Sequence, residues 1–271
     1  MSEQQRTRPR PSRQVRQRRT IAAALLVVVI IAAIAIGAAA GRGAQASNDA
    51  TGTPTAPVST PDPTSSEPSR PSPEVVAPPA PVPAFDKSAR SIDDPNSIWL
   101  VVNKLRPLNP ADYAPGDLVS VGEGEMRAEP AAAFDVMVKA AAADGYSLIA
   151  ASAYRSYTEQ SWIYAGDDEL TARPGYSEHQ TGLTVDIATP TGQCRIYQCF
   201  GDMPEGAWLR DNAWKYGFLL RYPADKTAVT GYEFEPWHFR YIGTDLSTEM
   251  HNTGFTTLEE FFGLPAAPVY P

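Results

Sequence analysis

The chain has 271 residues with 23 basic and 31 acidic side chains, a formal net charge of −8, 43% hydrophobic residues and two cysteines. The charge is unevenly spread: seven arginines and one acid, Glu3, lie within residues 1–20, so the other 16 basic and 30 acidic residues carry −14. An acidic remainder of this kind offers no electrostatic footprint for nucleic acid or for basic adhesion to anionic lipid, and neither partner class is expected.

In chain order, the arginine-rich residues 1–20 are followed by Ile21 to Ala40, twenty uncharged residues that are almost all Ala, Ile, Val and Leu. At 1.5 Å of rise per residue such a helix matches a hydrocarbon layer of roughly 30 Å. A secretory signal cleaved near Ala44-Gln45-Ala46 is the rival reading, but its apolar core is normally about 7–15 residues. The expectation is a single-pass transmembrane helix over 21–40, with residues 1–20 as a cytoplasmic tail and the rest of the chain outside the cell. Residues 41–90 are dominated by Pro, Ser, Thr, Ala and Gly, with eleven prolines from Pro54 to Pro83, and offer too little apolar surface to offset ordering entropy. They read as a disordered, semi-extended tether.

Residues 91–271 are left for one globular domain. Phe134, Met137, Val138 and Ala141 recur at helical spacing, which predicts a helix over Pro130 to Asp144 stopped by Gly145. A strand is expected over Tyr146 to Ala151, then a helix capped by Thr158 and containing Trp162 and Ile163. Leu183 to Ala188 alternates as a strand, with Leu183, Val185 and Ile187 on one face and Thr184 and Asp186 on the other. A helix over Glu205 to Tyr216 ends at Gly217, with strands at Phe218 to Tyr222 and Trp237 to Ile242 and helices at Leu246 to Met250 and Leu258 to Phe262. Strands and helices in irregular order predict an α+β fold with a small, mainly antiparallel sheet flanked by helices.

Cys194 and Cys199 form an even pair in a chain read as exported, and a disulfide is expected between them. Zinc binding by the pair fits poorly, since oxidising surroundings compete for the thiols.

The histidines carry the chemistry. His179, Asp186 and His238 provide three nitrogen and oxygen donors, the number that holds a hydrolytic zinc while leaving a position for water, and Glu235 is left as a proton-transfer group. By spacing alone, H-x₆-D is a loose pattern, and a histidine satisfied within a core is an equal reading. His251 lies at a predicted helix end, where the dipole favours it. In a flat strand Glu235 and His238 face opposite sides, so a bend at Pro236 is required for both to reach one metal.

The ordered motifs Tyr154-Arg155-Ser156-Tyr157-Thr158-Glu159-Gln160, Ser177-Glu178-His179-x-x-Gly182-x-x-x-Asp186 and Glu235-Pro236-Trp237-His238-Phe239-Arg240-Tyr241 together resemble the VanY-type D-alanyl-D-alanine carboxypeptidases of the zinc-dependent M15 peptidases. Thr184 departs from the small residue common at its position, which is not a ligand. The resemblance implies a small α+β domain with zinc held by His179, Asp186 and His238. It implies Glu235 as catalytic base and Arg155 as the group that polarises the scissile carbonyl, with Ser177 and Gln160 helping to hold the substrate's terminal residue. The implied substrate is a peptidoglycan stem peptide losing its C-terminal D-alanine. An L,D-carboxypeptidase acting on tetrapeptide stems, or a noncatalytic wall-binding module on the same fold, are the alternatives.

Overall fold

The computed structural model describes residues 84–271. The expected cytoplasmic tail, the helix over 21–40 and all but the end of the 41–90 linker lie outside the described residues. Among the described residues no helix is long and apolar enough to cross a membrane. Packing begins ahead of the expected boundary at 91, because Phe85 stacks on Trp99 and meets Phe261 edge-on. An aromatic ring inside a proline-rich stretch has enough apolar surface to be held by the core beside it.

The first strands form a hairpin with no apolar pattern to announce it, β1 (Leu118–Val121) and β2 (Gly124–Arg127), paired antiparallel around Gly122 at φ +58°. Helix α1 (Ala128–Ala143) follows and buries Phe134, Met137 and Ala141 of the predicted stripe, with Val138 half-buried beside them. Gly145 at φ +91° ends it, a conformation that glycine adopts without penalty. Strand β3 (Ile149–Ser152) starts later than expected because Tyr146 is spent on closing the helix, its amide donating to the Ala141 carbonyl. Helix α2 (Tyr157–Ile163) is capped by Ser156 rather than by Thr158. The Ser156 hydroxyl accepts from the Glu159 amide and the Glu159 carboxylate accepts from the Ser156 amide, so two otherwise orphaned donors are satisfied reciprocally.

Strand β4 (Thr184–Ala188), helix α3 (Pro204–Asn212), strand β5 (Phe218–Leu220), the single turn α4 (Thr227–Thr230), strand β6 (His238–Tyr241) and helices α5 (Thr244–Thr253) and α6 (Leu258–Phe262) complete the chain. The predicted helix to Tyr216 is divided, its last part tightening into a 3₁₀ turn over Ala213–Tyr216 that Gly217 closes. The main sheet has the order β3-β4-β6-β5 with every pair antiparallel. It is therefore a mixed α and β domain with small antiparallel sheets. All five residues of β4 are buried, so both its faces are covered. Val185 and Ile187 join Phe134, Met137, Phe218 and Phe239 in one apolar cluster, each such side chain contributing about 1.5–3 kcal/mol on burial. The opposite face of β4 carries Asp186, which pairs in register with His238 on β6.

Candidate active site

Three local devices bring the polar side chains together. His179 belongs to a tight 3₁₀ segment, Glu178–Thr181, which Ser177 precedes and Gly182 closes at φ +68°. Asp186 sits at the centre of β4. Glu235 reaches the same point because Pro236 and Trp237 form a turn in which the His238 amide donates to the Glu235 carbonyl at 3.1 Å. That turn is the bend the odd spacing demands, and proline is well suited to the position after the turn's first residue.

His179 Nδ1 lies 2.7 Å from the Ala153 carbonyl and must carry the proton that bonds it, which leaves the Nε2 lone pair free for a metal, 3.3 Å from Asp186 Oδ2. His238 turns its other nitrogen inward: Nδ1 is 3.3 Å from Asp186 Oδ1 and 3.3 Å from Glu235 Oε2. One ligating atom each of His179, Asp186 and His238 lie within 4.8 Å of one another, all three residues being buried. Asp186 Oδ1 has no hydrogen-bond partner. A buried carboxylate with an oxygen 3.3 Å from each of two imidazole nitrogens, and with Oδ1 lacking a hydrogen-bond partner, is a donor set that fits zinc.

The electrostatics divide the two carboxylates. Burial opposes the charge on Asp186, but His179 and His238 hold it well below the usual aspartate range, so it stays anionic. Burial pushes Glu235 above the usual glutamate value, with the hydrogen bond from His238 working in the other direction. A carboxylate set to exchange a proton beside one set to stay charged is the pattern of a base next to a ligand.

Arg155 lines the same cleft as both. Burial lowers its guanidinium from the usual value while Asp186 and Glu235 support the charge, and an arginine remains cationic regardless. Its Nη1 donates to Gln160 Oε1 at 2.9 Å and its Nη2 to Ser152 Oγ at 3.2 Å. Gln160 is fully buried and spends its other end on the Ala172 carbonyl at 2.7 Å. Both ends of that amide are thus occupied by the protein, one of them by Arg155, and Gln160 lines the cleft. Ser177 makes no capping bond and lines the cleft beside His179. The cleft, of about 640 Å³, is walled by Ile163, Leu170, Ile196, Tyr197 and Tyr222.

Cys194 and Cys199 are joined in a disulfide. The loop they close puts Ile196 and Tyr197 at the cleft, with Cys194 at φ +54° and Ile196 at φ +57°. For a β-branched residue that conformation costs on the order of 1–3 kcal/mol and needs outside support, which the crosslink supplies.

Sequence reasoning missed the charged layer under the site. Glu178, Arg221, Arg240 and Glu259 are each essentially inaccessible to solvent. Arg221 donates to Glu178 at 2.9 Å and to Glu259 at 2.7 Å, and Arg240 donates to Glu178 at 2.9 Å. Tyr222 was missed as well; its ring packs 4.6 Å from that of His238, and its carbonyl holds the Glu235 amide. One signal was available, since alternation in the last strand places Arg240 on the same face as His238.

Residues 123–244 match the family model VanY, D-alanyl-D-alanine carboxypeptidase. The putative carboxypeptidase YodJ of Bacillus subtilis is 39% identical over 191 residues, 64% of this chain and 69% of that protein. Among solved structures, the LdcB LD-carboxypeptidase is 39% identical with a TM-score of 0.58, covering 62% of this chain and 87% of the other. A mutant of the vancomycin resistance D,D-pentapeptidase VanY, solved in complex with Zn(II), is 30% identical with a TM-score of 0.53, covering 61% and 98%.

Proposed function

This chain belongs to the VanY family of D-alanyl-D-alanine carboxypeptidases, and we propose that it removes the C-terminal D-alanine from peptidoglycan stem peptides as a zinc peptidase. The observation that carries the reading is the convergence of His179 Nε2, Asp186 and His238 Nδ1 within 4.8 Å, with Glu235 Oε2 3.3 Å from the last of them. His179, Asp186 and His238 would hold the zinc, which would supply an acidified water and Lewis-acid polarisation of a carbonyl. Glu235 takes the proton of the attacking water and returns it to the leaving amine. Its raised affinity for protons, a consequence of burial, suits both transfers. Arg155, aimed by Gln160 and Ser152, meets the negative charge that grows on the scissile carbonyl oxygen. Ser177, at the cleft wall, is assigned to the substrate's terminal residue.

An L,D specificity on tetrapeptide stems is the second reading, supported by the likeness to the LdcB LD-carboxypeptidase. Mass spectrometry of pentapeptide and tetrapeptide stems after incubation with the zinc-loaded protein separates the two, with D-alanine loss from the pentapeptide expected. His179→Ala should lose both zinc and turnover. Unchanged hydrolysis after thorough metal removal would overturn the reading.

Residues 21–40 are assigned as an uncleaved membrane anchor that places the peptidase domain outside the cell, on the strength of their apolar length and flanking arginines.

A further inference from the structure

The two histidines of the site are braced from behind in different ways. His179 is held by a backbone carbonyl, through Nδ1 and Ala153. His238 turns Nδ1 inward, so its outer nitrogen is Nε2, which is buried and has no hydrogen-bond partner. Glu178 Oε2 lies 3.6 Å from it, itself buried and equally without a partner. The asymmetry of Glu178 is informative. Both guanidinium bonds, from Arg221 Nε and Arg240 Nη1 at 2.9 Å each, fall on Oε1, and none falls on Oε2. An ion pair needing only charge balance has no reason to leave one carboxylate oxygen empty in a solvent-free layer, where an unmet acceptor is costly.

We infer that Glu178 is a positioning residue for His238, accepting a hydrogen bond from Nε2 when the site is loaded. The inference rests on the zinc reading above. A cation taking the lone pair of Nδ1 leaves the proton of a neutral imidazole on Nε2, directed at Glu178 Oε2. The 3.6 Å separation is longer than a formed bond, and a shift of a few tenths of an ångström closes it. A carboxylate behind a metal-ligating histidine fixes the ring orientation and makes the ligating nitrogen a stronger donor. Glu178 cannot rotate away, because Arg221 is also gripped by Glu259 and Arg240 also donates to the Ile98 and Leu100 carbonyls.

The test uses the full chain labelled with ¹⁵N-histidine, which has only three histidines. In the zinc-loaded wild type, long-range proton–nitrogen spectra should show His238 with its proton on Nε2, shifted downfield and protected from exchange with solvent. Absence of that proton, or exchange at an unprotected rate, overturns the inference whatever the turnover. Glu178→Gln should weaken zinc binding by roughly 10–100-fold in chelator competition, lowering kcat at limiting zinc while KM stays near wild type. Should that variant fail to fold around its unpaired arginine, the wild-type spectrum decides alone. A protected Nε2 proton in a protein that hydrolyses no stem peptide would sink the carboxypeptidase reading and leave the positioning role standing; full turnover without the proton does the reverse.

Discussion

At the scale of single residues, the site is a division of labour between two carboxylates set apart by their surroundings. Asp186 is flanked by two imidazoles and stays charged, whereas Glu235, buried against one of them, is poised to gain and lose a proton. Glu235→Gln keeps the size of the side chain and removes that capacity. Turnover should fall by about 10²–10⁴ or more, since both proton transfers depend on it, while zinc content stays at one per chain. Turnover and metal analysis on the same preparations check this, and a variant with full zinc and near wild-type turnover removes Glu235 from the role. His179, Asp186, Glu235 and His238 were legible as candidates because two of the three ordered motifs hold them. Which imidazole nitrogen faces inward was not legible, since it depends on the Ala153 carbonyl and Glu178, partners supplied by the fold rather than by the spacing.

Among the elements, α2 shows how a local signal reaches the chemistry. Ser156 and Thr158 both carry capping chemistry, and the glutamate three residues after Ser156 decides between them. Because Arg155 immediately precedes the cap and Gln160 in the helix receives its guanidinium, the cap fixes both ends of that contact. Ser156→Ala should cost about 1 kcal/mol of stability, read as a lowered Tm, and should reduce kcat more than it raises KM. Thr158→Ala, on the exposed side of the helix, should stay within about 0.5 kcal/mol of wild type. Equal effects from the two would contradict the assignment of the cap. Strands β4 and β6 were legible through their alternation, and α1 through its apolar stripe. Hairpin β1–β2 was not, because Glu123, Glu125 and Arg127 interrupt the apolar pattern and only the pairing around Gly122 makes strands of it.

For the whole molecule, the order of strands and helices carried the fold class, but the layer joining the ends of the domain to the site was hidden. Arg221, Arg240 and Glu259 are residue types that stay at the surface unless paired, and their partners lie far away in sequence. Glu259 on α6 receives Arg221 from beyond β5 and the Asn103 amide from the start of the domain. Burial opposes its charge, yet Arg221 and Asn103 hold its carboxyl below the usual glutamate value. A depressed folded value means that the unfolded chain binds the proton more readily, so the pair stabilises the domain above the unfolded glutamate value of about 4.3 and loses that contribution as pH falls through the folded one. In metal-free protein, where zinc release plays no part, Tm should therefore drop as pH is lowered from about 5 towards about 3. Glu259→Gln should be less stable at neutral pH by on the order of 3 kcal/mol, because Arg221 loses its bidentate partner, and its Tm should respond less steeply to acid. Thermal melts of both proteins across that range supply the measurement. Parallel curves would show that Glu259 does not couple the C-terminal helix to the charged layer, and that acid acts on the domain through Glu178 and Asp186 instead.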